Sequence, residues 1–145
     1  MIALLQRVSR ASVEVDQQVI ARIDRGVLAL IGVQPDDNQQ KADKLLYKLL
    51  NYRIFEDNNE CMNLSLQDIA GDLLLVPQFT LAADTRKGLR PGFSTAASPD
   101  AGQYWFNQLV TAAKAAHNSV QTGQFGADMQ VSLVNSGPAT FWLQT

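Results

Sequence analysis

Apolar and polar residues alternate with a period of two along the first third of the chain, which predicts antiparallel strands. The alternation covers residues 2–8, 13–16 and 19–24. The continuous apolar run Val27–Val33 is typical of a strand that is covered on both faces. Leu73–Val76 is a second run of this kind. The pattern therefore predicts several strands, some half-exposed and some fully buried.

Apolar residues at helical spacing predict two helices. The first follows Asp36 and Asp37, which offer N-caps, and is expected to be about fifteen residues long. The second begins with Ser98 as its cap and Pro99 at its first position. The expected inner faces are Ala42, Leu45, Leu46, Leu49 and Leu50 for the first helix, and Trp105, Leu109, Ala112, Ala113 and Ala116 for the second.

The C-terminal third returns to the strand pattern in residues 129–133. Turn-forming residues then interrupt it at 135–138, and it resumes in 139–143. No repeat, low-complexity segment or linker divides the chain. We therefore expect a single-domain α/β fold over residues 1–145, layered as β/β/α, with mixed or antiparallel sheets and two helices on one side.

Composition narrows the classes of function. The 145 residues are 46% hydrophobic and 18% charged, which suits one globular domain. A net charge of −2 excludes a nucleic-acid binder that relies on bulk positive charge, so any RNA must be held by local groups. Cys61 is the only cysteine, which excludes a disulfide framework and a thiolate zinc site. No apolar run approaches the ~18 residues of a membrane span, and we expect a cytoplasmic protein.

Titratable residues are sparse in the second half of the chain. His117 is the only histidine and lies at the end of the second predicted helix, where a structural or surface role is favoured. Lys114 and Asp128 are the only charged residues after position 100. A stretch so poor in charge is either mostly core or part of a subunit interface.

Two segments are candidates for chemistry. Gln78, Phe79 and Thr80 follow the buried strand 73–76, where a strand end can present side chains and free backbone amides to a crevice. The same residues also suit an ordinary strand end. The second segment, 135–140, is a plain turn on residue type alone. The residues by themselves leave both readings open.

Five motifs in order along the chain resemble the D-aminoacyl-tRNA deacylase family. They are the N-terminal strand 1–8, the segments 51–55 and 78–84, the dipeptide 90–91, and the segment 135–140. The resemblance runs over essentially the whole chain. It implies hydrolysis of the ester that joins a D-amino acid to the terminal adenosine of tRNA, and removal of glycine mischarged on alanine tRNA. We expect neither a cofactor nor a metal.

The resemblance also implies a homodimer with shared active sites. Gly137 and Pro138, joined by a cis peptide, would project into the partner's pocket and select chirality there. Arg7 and Asn135 would support that element. We expect no membrane or DNA partner.

The same resemblance assigns the catalytic role to Gln78, Phe79 and Thr80. Backbone N–H groups around Phe79 and Thr80 would stabilise the oxyanion. The resemblance makes Thr80 a nucleophile candidate, but no base adjoins it in the sequence, so a positioning role is favoured and covalent catalysis is the alternative. Two positions depart from the family's usual residues: Pro77 replaces a serine and Ser136 replaces an aspartate.

RNA is expected to meet local basic groups. Arg86, Lys87 and Arg90 lie on one irregular stretch, and the lysines of the first helix could assist them. The alternative function is a non-catalytic RNA- or small-ligand-binding module on the same dimeric fold.

Overall fold

The computed structural model describes residues 1–145 as a mixed β-sheet with two helices packed on one face. The predicted fold class is confirmed. Neither helix is both long and apolar enough to cross a membrane. The elements are β1 (Ile2–Val15), β2 (Gln18–Ile23), β3 (Gly26–Gly32), α1 (Gln39–Asn51), β4 (Phe55–Glu56), β5 (Met62–Leu64), β6 (Asp72–Pro77), a 3₁₀ helix (Phe79–Ala82), α2 (Pro99–Ala116), β7 (Val120–Thr122) and β8 (Gln130–Gln144).

Strand β1 is the organising strand of the sheet. On one side its first half pairs with β3 and its second half pairs with β2, both antiparallel. On the other side it pairs with β8 over almost its whole length. Strands β3, β6 and β7 continue the sheet in parallel, and β2 also approaches β6 and β7. The sheet therefore curls towards a closed barrel.

Two hydrophobic clusters lie on the two faces of this sheet. The larger one joins the inner sides of β1, β3 and β6 to the apolar faces of α1 and α2. The smaller one lies within the curl of the sheet and contains residues of β1, β2, β3 and β6. Burial of β3 and β6 on both faces explains why their sequences are continuously apolar.

The N-cap of helix α1 lies one residue after the predicted caps. Its N-cap is Asn38, whose side-chain oxygen accepts from the backbone N–H of Lys41 at 3.0 Å. The prediction of Asp36 or Asp37 as the cap was wrong. Asp37 is buried instead, where its carboxylate accepts from the Gln34 N–H at 2.8 Å and pairs with the terminal amine. A buried carboxylate needs such partners, and a helix cap alone would not provide them.

Helix α2 begins at the predicted cap Ser98, but part of its predicted inner face was wrong. Ala116 is exposed, whereas Trp105 is partly buried, packs against the core and meets Tyr104 edge-on. The helix is rotated so that a smaller set of residues points into the core. The buried positions are Gly102, Phe106, Leu109 and Ala113.

Strand β8 runs unbroken through the segment predicted to be a turn. Both flanks of Asn135–Pro138 pair with β1, and the register shifts on either side of Val8. The extra residues form a bulge rather than a reversal of the chain. The peptide between Gly137 and Pro138 is cis, so that expectation is confirmed.

Gly26 allows β3 to lie against the start of β6. A Cβ at this position would stand 1.9 Å from the Asp72 carbonyl oxygen, so the backbone would have to move. We expect Gly26→Ala to lower the free energy of unfolding by about 1–3 kcal/mol or more. Urea unfolding followed by circular dichroism measures this. Gly92→Ala is the control, because its Cβ would meet nothing closer than 3.7 Å. Equal stability of the two variants would contradict the argument.

Candidate active site

The carboxyl end of β6 holds the first candidate segment against β3. The N–H of Gln78 donates to the carbonyl of Ile31 at 2.7 Å, which extends the parallel ladder by one residue. Gly32 permits the close approach of the 3₁₀ helix, since a Cβ there would lie 3.0 Å from the Cβ of Leu81. The backbone of the segment is therefore fixed by strands that are themselves buried.

Two backbone amides of this segment are free. The N–H groups of Phe79 and Thr80 donate to no acceptor in the protein, because they belong to the first turn of the 3₁₀ helix. Both residues are exposed. Adjacent N–H groups held on a rigid strand end are suited to stabilise an oxyanion.

The hydroxyl of Thr80 has one partner in the protein. Its oxygen accepts from the side-chain amide of Gln78. No carboxylate, amine or imidazole bonds to it. Thr80 therefore lacks the adjoining base that would make it a nucleophile.

An aromatic cavity of about 460 Å³ opens beside Phe79. The Phe79 and Phe93 rings are 5.2 Å apart and tilted by 54°. Phe93 and Phe125 are site residues that sequence reasoning missed. An aromatic residue in a glycine- and proline-rich loop was the available signal for Phe93. The main lining residues are Ile31, Val33, Pro77, Phe79, Phe93, Phe106 and Phe125.

The second candidate segment is the bulge of β8. The side-chain amide of Asn135 donates to the carbonyls of Arg7 at 3.0 Å and Ala139 at 3.1 Å, so it ties β8 to β1 and closes the bulge on itself. The buried Arg7 donates from Nε to the Ser136 carbonyl at 3.1 Å and from Nη1 to the Ile54 carbonyl at 2.6 Å. The structure thus places Arg7 and Asn135 around the Gly137-Pro138 peptide.

The two segments do not meet within one chain. The 3₁₀ helix packs at Gly32, which pairs with Ile2, whereas the bulge lies beside Arg7. Five residues of an antiparallel strand separate these two levels by about 17 Å. Gly137 and Pro138 are exposed, and neither lines the cavities that contain Phe79 or Thr80.

Comparison with known proteins decides the family. The model of a family described as D-Tyr-tRNA(Tyr) deacylase matches residues 4–144. The chain belongs to this family. The resemblance inferred from the sequence is confirmed, and the chain is an enzyme, an ester hydrolase.

Close relatives agree along nearly the full length. The D-aminoacyl-tRNA deacylase of Pseudomonas putida is 60% identical over 141 residues, covering 97% of each chain. That of Pseudomonas fluorescens is 60% identical over 142 residues, covering 98% of each chain.

Two solved structures share the fold of this deacylase. A c-Myc DNA unwinding element binding protein superposes with a TM-score of 0.96 at 34% identity, over 100% of this chain and 99% of the other. A probable eukaryotic D-amino acid tRNA deacylase superposes with a TM-score of 0.85 at 19% identity, over 99% and 98% of the two chains. The second likeness concerns the fold alone.

The basic loop, which carries Arg86, Lys87 and Arg90, contains one arginine that forms an ion pair within the loop. Arg86 pairs with Asp84 through two bonds, Nε to Oδ1 at 2.8 Å and Nη2 to Oδ2 at 2.7 Å. This guanidinium, with the backbone N–H of Arg86, holds the pKa of the Asp84 carboxyl well below its usual range. Lys87 and Arg90 are exposed and make no ion pair. Of the three residues predicted to contact RNA, Arg86 already forms an ion pair with Asp84, whereas Lys87 and Arg90 form none.

His117 and Cys61 lie apart from both segments. The Nε2 atom of His117 lies 2.6 Å from the Gly71 carbonyl at the end of α2, where it joins the helix to β6. Cys61 is an exposed free thiol in the β4–β5 turn region. Neither contributes to the candidate active site.

The Asp84–Arg86 pair predicts that the stability of its loop decreases in acid. Because the folded pKa is depressed, the contribution of the pair to stability is present above the unfolded pKa and disappears as pH falls through the folded value. We expect the Asp84 carboxyl to titrate below 3.8 in an NMR titration. Arg86→Gln should move the midpoint up towards that value, whereas Lys87→Gln should leave it unchanged. Identical midpoints in wild type and Arg86→Gln would refute the pairing.

Proposed function

We propose that this enzyme hydrolyses the ester between a D-amino acid and the terminal adenosine of tRNA in the cytoplasm. The observation that carries the proposal is the pair of free amides at Phe79 and Thr80, on a rigid strand end beside an aromatic cavity. The names of the relatives, D-aminoacyl-tRNA deacylase, support the choice of ester.

Hydrolysis of this ester needs few catalytic side chains. An aminoacyl ester is a good acyl donor, so a positioned water, a stabilised oxyanion and a route for the proton are sufficient. Water adds to the carbonyl carbon, and the negative charge develops on the carbonyl oxygen facing the Phe79 and Thr80 amides. The carbon–oxygen bond to ribose then breaks, and the ribose oxygen takes the proton. We propose that the neighbouring 2′-hydroxyl of the substrate assists the water, because Thr80 has no base beside it.

The aromatic cavity suits the terminal adenosine. Exposed nucleic-acid bases are held by stacking on aromatic side chains, and such stacking tolerates sequence differences elsewhere in the RNA. Phe79 and Phe93 are both exposed at the mouth of the cavity. An adenine base bound there would bring the ester next to the free amides of the 3₁₀ helix.

Chirality requires a second copy of the chain in this proposal. The Gly137-Pro138 bulge lies about 17 Å along β1 from its own 3₁₀ helix, so it can reach only the site of a partner. The outer edge of β8 has no partner strand, and Trp142 on this strand is 53% exposed. A dimer through this charge-poor strand would cover both features.

The bulge would select the substrate by exclusion. Its carbonyls would hold the α-amino group and leave no space for the β-carbon of an L-amino acid, which is rejection by steric clash. Glycine has no β-carbon, so glycine mischarged on alanine tRNA would also be accepted. The D side chain would point outwards, which would allow many amino acids.

The direct test compares D-tyrosyl-, L-tyrosyl- and glycyl-tRNA as substrates of the purified protein. We expect the D and glycyl esters to be hydrolysed and the L ester to survive. Binding of tRNA without loss of any ester would favour the alternative, a non-catalytic RNA-binding module.

Thr80→Ala should retain measurable activity on D-tyrosyl-tRNA. Loss of one positioning hydrogen bond is expected to raise the barrier by on the order of 0.5–3 kcal/mol. Single-turnover hydrolysis rates of the folded variant measure this, with Thr80→Ser as the variant that keeps the hydroxyl. Complete inactivity of Thr80→Ala, or an isolated acyl-Thr80 intermediate, would instead support covalent catalysis.

Arg7→Lys should lower the ratio of D to L hydrolysis on the order of tenfold, because one buried carbonyl loses its donor while the charge remains. Lysine cannot reach both Ser136 and Ile54 as the guanidinium does. Arg53→Lys is the matched control, since Arg53 is exposed and makes no hydrogen bond.

Light scattering accompanies this measurement. Wild type and both variants should show about twice the 15.9 kDa chain mass. A monomeric wild type would sink the shared-site proposal. An unchanged ratio in a dimeric Arg7→Lys would remove Arg7 from the selection of chirality.

A further inference from the structure

A shallow groove of about 500 Å³ crosses the outer face of β1, β2 and β8. Strand pairing sets Ser12 opposite both Arg22 on β2 and Ser132 on β8. Arg10 is two residues from Ser12 on β1, so its side chain emerges on the same face. Arg10 and Arg22 are thus diagonal neighbours, about 7–8 Å apart at their Cα atoms.

Arg10 and Arg22 line this groove, hereafter the strand groove, and form no ion pair within the chain. Neither has a carboxylate within 4.0 Å, whereas Arg7 and Arg86 do. Both are exposed. Asp24 is the one acidic residue that lines the groove, and the balance of Arg10, Arg22 and Asp24 is +1 in a chain of net charge −2. Free guanidinium groups beside serine hydroxyls are the donors that phosphate oxygens prefer.

The strand groove leads to the bulge. A second groove of about 260 Å³ follows it along β1 and β8 and is lined by Ser9, Arg25 and Ser136. The exposed Glu56 also lines it and pairs with the buried Arg7. Ser136 is the residue whose carbonyl Arg7 holds, next to Gly137. Arg25 is exposed in this second groove and continues the basic surface towards the bulge, whereas Arg7 is buried and serves to hold the bulge.

We propose that the strand groove binds backbone phosphates of the tRNA whose 3′ end is in the partner's active site. The inference rests on the proposed function, in which the bulge enters the partner's pocket. The surface beside the bulge then faces the RNA that enters that pocket. Each tRNA would be positioned by one subunit and hydrolysed in the other.

The contact is local and independent of sequence. Arginine side chains on two strands can reach neighbouring phosphates, and serine hydroxyls can donate to the same oxygens. Such contacts fix the orientation of an RNA without reading its bases. They also make affinity depend on salt, because each neutralised phosphate releases counterions.

The test uses the full-length double variant Arg10→Gln/Arg22→Gln, with Lys114→Gln as the control. Lys114 is also an exposed cation without an ion pair, but it lies on α2, across the sheet. Filter binding gives the Kd for uncharged tRNA between about 50 and 200 mM salt. Hydrolysis is measured on D-tyrosyl-tRNA and on the D-tyrosyl ester of adenosine, which lacks the phosphate backbone.

We expect the double variant to bind tRNA about tenfold more weakly and the salt slope to fall by about two. KM for D-tyrosyl-tRNA should rise with kcat little changed, and hydrolysis of the adenosine ester should match wild type. The control should match wild type in every assay. Arg10→Lys/Arg22→Lys, which keeps the charge, should recover most of the affinity and of the salt slope.

Other outcomes would overturn the proposal. An unchanged Kd and slope in the double variant would show that the strand groove does not contact RNA. Dissociation of the double variant in light scattering would make the face a subunit interface instead. Failure of wild type to hydrolyse either ester would refute the proposed function, while its tRNA affinity would still report on the groove.

Discussion

The pairing of β1 with strands on both sides is the constraint on which the rest of the structure depends. Every backbone group of a buried central strand needs a partner, and β3, β2 and β8 together provide them. The pairing with β8 is not perfectly regular, because β8 carries extra residues opposite Val8. The bulge exposes Gly137 and Pro138 while the strands on either side stay in register.

The same strand fixes how far apart the two candidate segments lie. The 3₁₀ helix packs near the Ile2 end of β1 and the bulge lies near Arg7, so a rigid length of strand separates them. A single subunit cannot bring them together without breaking its central strand. In the proposed dimer the bulge would reach the partner's 3₁₀ helix, and the free edge of β8 would be covered.

Hydrogen bonding differs between the buried scaffold and the candidate active site. No buried side-chain nitrogen or oxygen is left without a hydrogen-bond partner. Arg7, Asp37 and Ser65 are the buried polar or charged residues, and each forms hydrogen bonds within the chain. The amides of Phe79 and Thr80 are free only where solvent or a ligand can reach them. These free donors at an exposed strand end are the groups to which we assign oxyanion stabilisation in the proposed reaction.

The sequence by itself determined the element types and the family. Period-two alternation, continuous apolar runs and the Ser98-Pro99 cap are local signals, because each depends on neighbours within a few residues. Ordered motifs along the whole chain identified the family. The assignment of Gln78, Phe79 and Thr80 to catalysis stays a prediction. The inner face of α2 was predicted only in part. Phe106 is buried without having been predicted and Ala116 is exposed, since the rotation of α2 depends on the shape of the sheet beneath.

Only the tertiary structure decided the rest. Residues 135–138 have the composition of a turn, and they form a bulge because both flanks bond to the same strand, which no local pattern reveals. Asp37 is a residue type that favours helix caps, and it is buried because the terminal amine of Met1, far away in the chain, pairs with its carboxylate. Phe93 joins the cavity, and Arg10 joins Arg22, through contacts between segments far apart in the chain. Long-range pairing brings such residues together, and a sequence read in short windows contains no record of it.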